Sequence, residues 1–259
     1  MRTFTPFGLL TCALCLPACF APKIDGTLRM IEFTPDGDLG ISSTGVTARN
    51  SMEGLGLNAE EQILGAMVDF QWGGPHIMVS TQQGSWDGSG TLNAEFSDGT
   101  ITIPIGTAVD STLDMGIHSA TITWDFLPGN SELGLGFGVN ALDLKGSFVS
   151  QATSDRIDFD EMVPIPAIAL RANVQVGPFE VGGHAAGFQI DYDGDEAKFI
   201  DIDVNGRWHF LGGNSRASGS VMVGYRSLTL EVDYLDDSGE QVDADLDFSG
   251  PFIGAQISF

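Results

Sequence analysis

The chain has 259 residues, of which 34 are glycines and only 18% are charged. Its formal net charge of −24, from 35 acidic against 11 basic side chains, repels nucleic acid and excludes a basic phosphate-binding surface. After the N-terminal segment, no apolar run approaches the roughly 20 residues that a membrane helix needs. Helical membrane insertion is therefore excluded, whereas strands that alternate apolar and polar residues remain compatible with this composition.

Residues 1–18 have the features of a secretory signal peptide, because one cationic side chain precedes an apolar run too short to span a bilayer. The end of this segment, Leu16-Pro17-Ala18-Cys19, is similar to a bacterial lipobox, although the proline departs from that pattern. Cleavage after Ala21 is the alternative, and it would place Pro22 directly after the cut. We predict a mature chain 19–259 that begins at a lipidated Cys19. It has no internal disulfide, since all three cysteines lie within residues 12–19.

Alternating segments follow along the rest of the chain and predict a single all-β domain. They lie at 24–48, 62–72, 75–83, 112–127, 131–149, 164–176, 179–192, 197–211, 217–235 and 245–259. Short breaks rich in glycine and proline separate some of them, whereas longer connections fall at 85–112, 154–161, 191–196 and 236–245. This order predicts a single antiparallel up-and-down transmembrane β-barrel, since such barrels alternate short periplasmic turns with longer external loops. Ten strands are preferred, and eight are the alternative if one segment is only loop.

The two faces of these segments differ in polarity. In residues 199–210, for example, apolar side chains alternate with Asp, Asn, Arg and His, which predicts a lipid-facing surface and a polar lumen. The predicted lumen groups are Asp69, Asp125, Arg171, Asp201, Asp203 and Arg207. Aromatic residues fall repeatedly beside the short turns, so Trp72, Trp124 and Trp208 are predicted to form a girdle at the periplasmic interface.

The last strand places apolar groups at alternate positions, among them Ile253 and Ile257, and the sequence stops at Phe259. This ending resembles the closing strand of bacterial outer-membrane barrels, which the barrel assembly machinery recognises. Residues 224–228, 232–234 and 249–254 are similar to the final hairpin of small barrels of that group, broadly of the OmpA and OmpW type. The resemblance implies an outer-membrane location and, as partners, membrane lipid, lipopolysaccharide and the assembly machinery. If the last of ten strands runs down toward the periplasm, the first strand runs up, which predicts a periplasmic N-terminus. The resemblance implies no particular activity.

Enzymes occur among small outer-membrane barrels, but the residues here predict no catalytic site and no cofactor. His118 and Ser119 are neighbours in sequence and point to opposite faces of a strand, so they cannot act together as base and nucleophile. Asp191, Asp193 and Asp195 form a weak candidate for a calcium loop. The run lacks the glycine and glutamate positions of an EF-hand, and a hairpin tip explains it better than a metal site.

Three functions remain compatible with these patterns. The first is a structural or surface-interaction barrel with acidic external loops. The second is a narrow, cation-preferring channel lined by the lumen carboxylates. The third is a secreted, lipid-tethered soluble β-barrel that binds small apolar ligands. The sequence leaves the oligomeric state open.

Overall fold

The structure is a computed structural model that describes residues 22–42, 49–127, 131–192, 195–211, 217–235 and 241–259. Ten long strands form one closed antiparallel barrel, in which each strand pairs with its neighbours in sequence and the last pairs with the first. They are β1 (Lys23–Ser42), β3 (Glu61–Gln71), β4 (Pro75–Thr91), β7 (Ala108–Asp125), β8 (Ser131–Ser150), β9 (Arg156–Val176), β10 (Phe179–Tyr192), β11 (Asp195–Leu211), β12 (Ser218–Leu235) and β13 (Gln241–Ser258). The predicted ten-stranded up-and-down barrel is therefore confirmed.

Four short elements lie in the connections: β2 (Asn50–Ser51), α1 (Met52–Leu55), β5 (Phe96–Ser97) and β6 (Thr102–Ile103). No helix among the described residues is long and apolar enough to cross a membrane. The barrel has two distinct ends. The turn end carries Lys23, Phe259 and the shortest connections, such as residues 177–178, whereas the loop end carries longer connections, such as residues 92–107.

Several predicted strand limits toward the loop end are wrong. The strand expected at 75–83 continues to Thr91, the one expected from 112 begins at Ala108, and the one expected from 164 begins at Arg156. The long connections expected at 85–112, 154–161 and 191–196 are correspondingly shorter. Polar and acidic composition suggested loops there, but an antiparallel strand tolerates a polar outward face wherever its other face is buried.

The inward and outward faces exchange polarity along each strand, as β7 illustrates. Toward the turn end its buried inward residues are polar: Ser119, Thr121 and Thr123. Toward the loop end its buried inward residues are apolar except for Ser111: Val109, Leu113, Met115 and Ile117. The outward residues change in the opposite sense, from half-buried Ile122 and exposed Trp124 near the turn end to exposed Asp110 and Asp114 near the loop end. The turn-end half is therefore apolar outside and polar inside, and the loop-end half is the reverse.

The loop-end half contains a hydrophobic core, which differs from the polar lumen that the alternation predicts. Its largest completely buried side chains include Trp86, Phe33, Phe96, Phe148 and Phe248. The ring centroids of Trp86 and Phe248 are 5.4 Å apart, and those of Phe96 and Phe148 are 4.7 Å apart. Burying each such side chain contributes roughly 1.5–3 kcal/mol. The prediction failed because these residues alternate with polar ones just as a lipid-facing row would.

A segment between β1 and β3 covers part of this core. In α1, Ser51 caps the N-terminus by accepting a hydrogen bond from the Gly54 amide, and Gly56 ends the helix with a left-handed φ of 75°. Met52 and Leu55 have no exposed surface. The backbone of Gly56 packs directly on β4, where a Cβ at Gly88 would lie 1.9 Å from the Gly56 carbonyl oxygen.

Candidate functional site

The turn-end half encloses a polar cavity of about 190 Å³. Five of the chain's 11 basic residues line it: Lys23, Arg29, Arg171, Arg207 and Arg226. Six acidic residues also line it: Asp25, Asp69, Glu132, Glu180, Asp201 and Asp203. Buried charges are costly unless they are paired, so the pairing of these groups determines what the interior does.

The most buried ion pairs join β11 to the neighbouring strand β12 and to β1. The alternation along β11 turns Asp201 and Asp203 inward, and both are less than 10% exposed. Arg226 donates from Nε to Asp201 Oδ1 at 2.8 Å and from Nη2 to Asp201 Oδ2 at 2.6 Å, and it also donates to Gln82. Arg29 of β1 donates to Asp203 Oδ2 at 2.5 Å. Since β12 and β13 separate β1 from β11 in the sheet, this last pair spans the interior.

A second cluster lies among β3, β4, β7, β8 and β9. Arg171 donates from Nη2 to both carboxylate oxygens of Asp125, at 3.0 and 3.1 Å, and from Nη1 to Glu132 Oε2 at 2.8 Å. His76 is 4% exposed, and its Nδ1 lies 3.2 Å from Asp69 Oδ1. Its Nε2 lies 2.7 Å from Asp125 Oδ2 but is not oriented to form a hydrogen bond there.

A third cluster lies between β10 and β11. Glu180 accepts from Arg207 Nη1 at 2.9 Å and lies 3.0 Å from His209 Nε2. The guanidinium and the imidazole thus share one carboxylate, each on a different oxygen. Together with the other two clusters, this pairing leaves little uncompensated charge facing the cavity.

Each of the six predicted lumen groups has an inward partner, but several of those partners were not singled out from the sequence. The acidic groups Asp69, Asp125, Asp201 and Asp203 meet His76, Arg171, Arg226 and Arg29, respectively. Arg226 lies in the segment that carries the family resemblance, and no inward direction was predicted for its side chain. The alternation of β12, in which Met222, Leu228 and Leu230 are buried on the same face, was the available signal for its inward direction.

One group among the described residues has the composition of a metal site: His76, Asp125 and Glu132. Candidate ligand atoms of all three lie within 4.8 Å of one another, and the carboxylate of Asp69 on the other ring nitrogen is a common orienting partner for a histidine ligand. However, Arg171 already binds both carboxylates. Its guanidinium takes the position of the cation, so the geometry favours an ion-pair cluster over a metal centre.

The apolar outward band of the turn-end half shares its level with this polar interior. Among its exposed members are Leu28, Val68, Phe137, Ile168 and Ile202. Trp72, Trp124 and Trp208 are exposed by 64, 40 and 50% near the short connections. The ring centroid of Trp124 lies 5.8 Å from Phe137, and that of Trp208 lies 6.0 Å from Phe210. A closed barrel with such a band is the arrangement by which strands cross a bilayer.

Comparison of folds agrees with this geometry. No protein-family model and no curated protein matches the sequence. The structure is similar to the outer-membrane protease OmpT of Escherichia coli, with a TM-score of 0.50, 12% identity, and coverage of 92% of this chain and 97% of that chain. The fold is that of a bacterial outer-membrane β-barrel. At this identity the likeness concerns the fold alone.

Two further similarities have lower TM-scores. A FadL homologue of Pseudomonas aeruginosa gives a TM-score of 0.32 at 8% identity, with 92% of this chain and 90% of that chain covered. The β domain of the Bordetella autotransporter BrkA gives 0.34 at 10% identity, with 92% and 99% covered.

The remaining predicted site residues of this barrel fall in two groups. Ile253, Ile257 and Phe259 are exposed by 57, 54 and 67%, and the backbone of Phe259 exchanges hydrogen bonds of 2.9 and 3.2 Å with Ile24 at the closing seam. Cys19, with the signal segment, and Asp193 lie outside the described residues. The structure describes only the backbone of Asp191 and Asp195, which pair as parts of the β10–β11 hairpin.

The histidine and serine that adjoin in β7 point in opposite directions in the barrel. His118 Nδ1 lies 2.8 Å from Thr81 Oγ1 on the outer side. Ser119 is 5% exposed and donates to Asn140 at 2.5 Å inside. This pair therefore offers no assembled base and nucleophile.

The outer surface of the loop end carries polar networks. Ser89 and Gln151 donate to Asp110 Oδ1, each at 2.7 Å, and these hydrogen bonds hold the pKa of that carboxyl below its usual value. Arg49 donates to Asp243 Oδ2 at 2.7 Å, and this hydrogen bond is the largest cause of a raised pKa for the guanidinium. The second contact joins the connection after β1 to β13.

Proposed function

We propose that the protein is an outer-membrane barrel without an open pore, whose loop-end half projects from the membrane as a rigid surface for structural or surface-interaction roles. The observation that carries this proposal is the hydrophobic core inside the loop-end half. A solute that crossed the polar cavity would meet completely buried side chains such as Leu113, Phe148 and Phe248.

The proposed orientation has the turn end, and with it the N-terminus, in the periplasm. Short turns face the periplasm in barrels of this type, and the aromatic residues of the turn end suit that interface. The loop-end half then stands beyond the bilayer, where its polar outer face contacts water and lipopolysaccharide. Membrane lipid contacts the apolar band, and the final strand ending in Phe259 is the proposed recognition element of the assembly machinery.

Planar-bilayer recording tests the absence of a pore. The mature chain, refolded into detergent and added to a bilayer across a salt gradient, is expected to insert without discrete conductance steps. Heat-modified mobility on electrophoresis and co-flotation with vesicles would establish that the added protein is folded and inserted. Regular steps with a preference for cations would overturn the proposal and favour the narrow channel lined by Asp201 and Asp203.

The third function, a soluble lipid-tethered binder, makes a different prediction. Such a protein would leave vesicles once its N-terminal lipid is absent. We expect the variant that begins after Cys19 to stay bound to vesicles in sodium carbonate, because its exposed apolar band requires a bilayer. Release into the soluble fraction would contradict the membrane proposal as a whole.

A further inference from the structure

The barrel wall is incomplete between two of its strands. Pairing of β9 with β10 runs from Val176 and Phe179 to Ile168 and Gly187, and stops there. β9 continues to Arg156 with β8 on its other side, and from Phe188 onward β10 pairs only with β11. The wall therefore opens toward the loop end as a notch between residues 156–167 and residues 188–192.

The exposure of one inward residue shows that the notch reaches the interior face. The alternation of β9 turns Val163 to the same side as Ile165 and Ala167, which are only 9 and 5% exposed. Val163 is 45% exposed, whereas its direct partner Leu142 on β8 is 2% exposed. Since the two side chains point the same way, the difference arises from the missing neighbour on the β10 side.

The lower part of the notch continues the apolar band. On the outward face of β9, Ile168 and Met162 are exposed by 66 and 63%, and the two residues between them on that face are prolines, both exposed. Beyond Met162 the outward face becomes acidic, with Asp160 exposed, and Glu161, which alternation places on the inward face next to Val163, is exposed as well. The apolar edge of the notch thus extends for six residues beyond the last β10 pair, from Ile168 to Met162, before the polar exterior begins.

Pro164 and Pro166 make this edge suitable for contact with hydrocarbon. An unpaired backbone N–H in lipid costs several kcal/mol, and proline has none. Both prolines pair in register with β8, and a strand accommodates proline where its N–H would point away from the ladder. The two missing donors therefore lie on the side of the notch. The same feature disfavours the addition of a foreign strand, which would need those donors.

Two aromatic side chains on the strands that border the notch pack against the core. Phe159 is partly buried against the core, and its ring centroid lies 6.3 Å from that of Phe148 in a stacked arrangement. Gly146 makes room for this ring, since a Cβ there would lie 2.1 Å from it. Phe188, on the β10 side, also packs partly buried against the core.

We propose that the notch is a binding site for an acyl chain of an outer-leaflet lipid, which lies against the proline edge and contacts Val163 and Phe188. The proposal rests on the proposed membrane location. In this proposal the acyl chain fills the gap between β9 and β10 where strand pairing is absent. It thereby contacts side chains that point into the barrel.

Photo-crosslinking tests the contact directly. Full-length mature protein carrying p-benzoyl-phenylalanine in place of Val163 would be reconstituted into dioleoyl phosphatidylcholine vesicles, irradiated and weighed by mass spectrometry. We expect a mass increase equal to one phospholipid. The same substitution at Ile168 is the positive control for membrane contact, and substitution at the exposed, outward Asp114 of β7 is the negative control.

The controls separate two kinds of failure. A lipid adduct at Ile168 without one at Val163 would overturn the notch proposal and leave the membrane location intact, whereas no adduct at either position would contradict the membrane location itself. A protein adduct at Val163 would show strand addition and also overturn the proposal. As a second measurement with a smaller side chain, a nitroxide on Val163→Cys is expected to be more accessible to oxygen than to a water-soluble nickel complex; the reverse order would count against the proposal.

Discussion

Arg226 holds together the deepest polar cluster at the scale of single residues. Its side chain and that of Asp201 are 3 and 5% exposed, so the substitution Arg226→Met leaves a buried carboxylate without its partner. Removing one member of such a pair costs about 3–5 kcal/mol. We expect a loss of this size in the free energy of unfolding, measured by urea titration in vesicles and followed by tryptophan fluorescence.

The double variant Arg226→Met, Asp201→Asn is the matched control for this prediction. It removes both charges together, so it is expected to recover a large part of the lost stability, because the isolated carboxylate is the main source of the cost. Equal losses in the single and double variants would indicate that packing around Arg226, rather than charge pairing, stabilises the interior.

Asp110 gives a pH-dependent prediction on the outer surface. Hydrogen bonds from Ser89 and Gln151 lower the pKa of this carboxyl, so they stabilise the folded state above the pKa of the unfolded chain, about 3.9. That contribution is lost as the pH falls through the lower folded pKa. We expect Ser89→Ala to raise the pKa of Asp110, as measured by NMR titration of the carboxyl carbon.

Thr112→Val provides the comparison for Asp110, because the Thr112 hydroxyl donates to Asp87 instead, at 2.8 Å. It should leave the pKa of Asp110 unchanged. If Ser89→Ala also leaves it unchanged, the short hydrogen bond from Ser89 does not govern this carboxyl.

At the scale of whole strands, barrel closure depends on close backbone packing between β1 and β13. The residues of β1 and β13 are paired on both sides of Glu32 and Gly250. A Cβ added at Gly250 would lie 1.5 Å from the Glu32 carbonyl oxygen. The strands can therefore close only with glycine at this position. Gly250→Ala forces the backbones apart, and we expect a loss of at least about 1–3 kcal/mol, detected as a lower temperature for the heat-modified shift on electrophoresis.

Gly206→Ala in β11 is the control, since nothing lies within 4 Å of a Cβ added there. It should leave the shift temperature close to that of the unsubstituted chain. A similar decrease for both substitutions would mean that strand glycines act through general backbone freedom rather than through the seam.

The elements also show where prediction from sequence succeeds. Turn chemistry and period-two alternation located ten strands and the outward face that carries the exposed Trp208, because both signals are local. The extensions of β4 to Thr91 and of β9 to Arg156 were not predicted. Their outward residues are polar or acidic, as in a loop, and the sequence alone does not show that their inward residues are buried. The sequence does not predict the notch, because the notch is defined by the loss of pairing between β9 and β10. The alternating prolines Pro164 and Pro166 are the only local signal of that unpaired edge.

At the scale of the whole molecule, contacts between distant strands decide the interior. Arg29 and Asp203 are 174 residues apart in sequence, so no local pattern could pair them. The inward row of β7 changes from serine and threonine to leucine and isoleucine without any break in alternation. Period-two alternation separates the residues of a strand into two faces. Which of these faces points into the barrel, and which part of it is apolar, depends on contacts that form only when the barrel closes.

The reversal of polarity predicts which half of the molecule contacts lipid. Trp124 is 40% exposed in the apolar band, whereas Trp86 is 1% exposed in the loop-end core. In vesicles of lipid brominated near the ester end of its chains, a variant that retains only Trp124 should lose fluorescence relative to unbrominated vesicles. A variant that retains only Trp86 should keep its fluorescence, because its core lies beyond the bilayer and is screened by the barrel wall. Equal quenching of the two tryptophans would place both halves in the membrane and would contradict a projecting loop-end half. We do not expect that result, because the outward carboxylates of the loop-end half would then lie in hydrocarbon at a high cost in free energy.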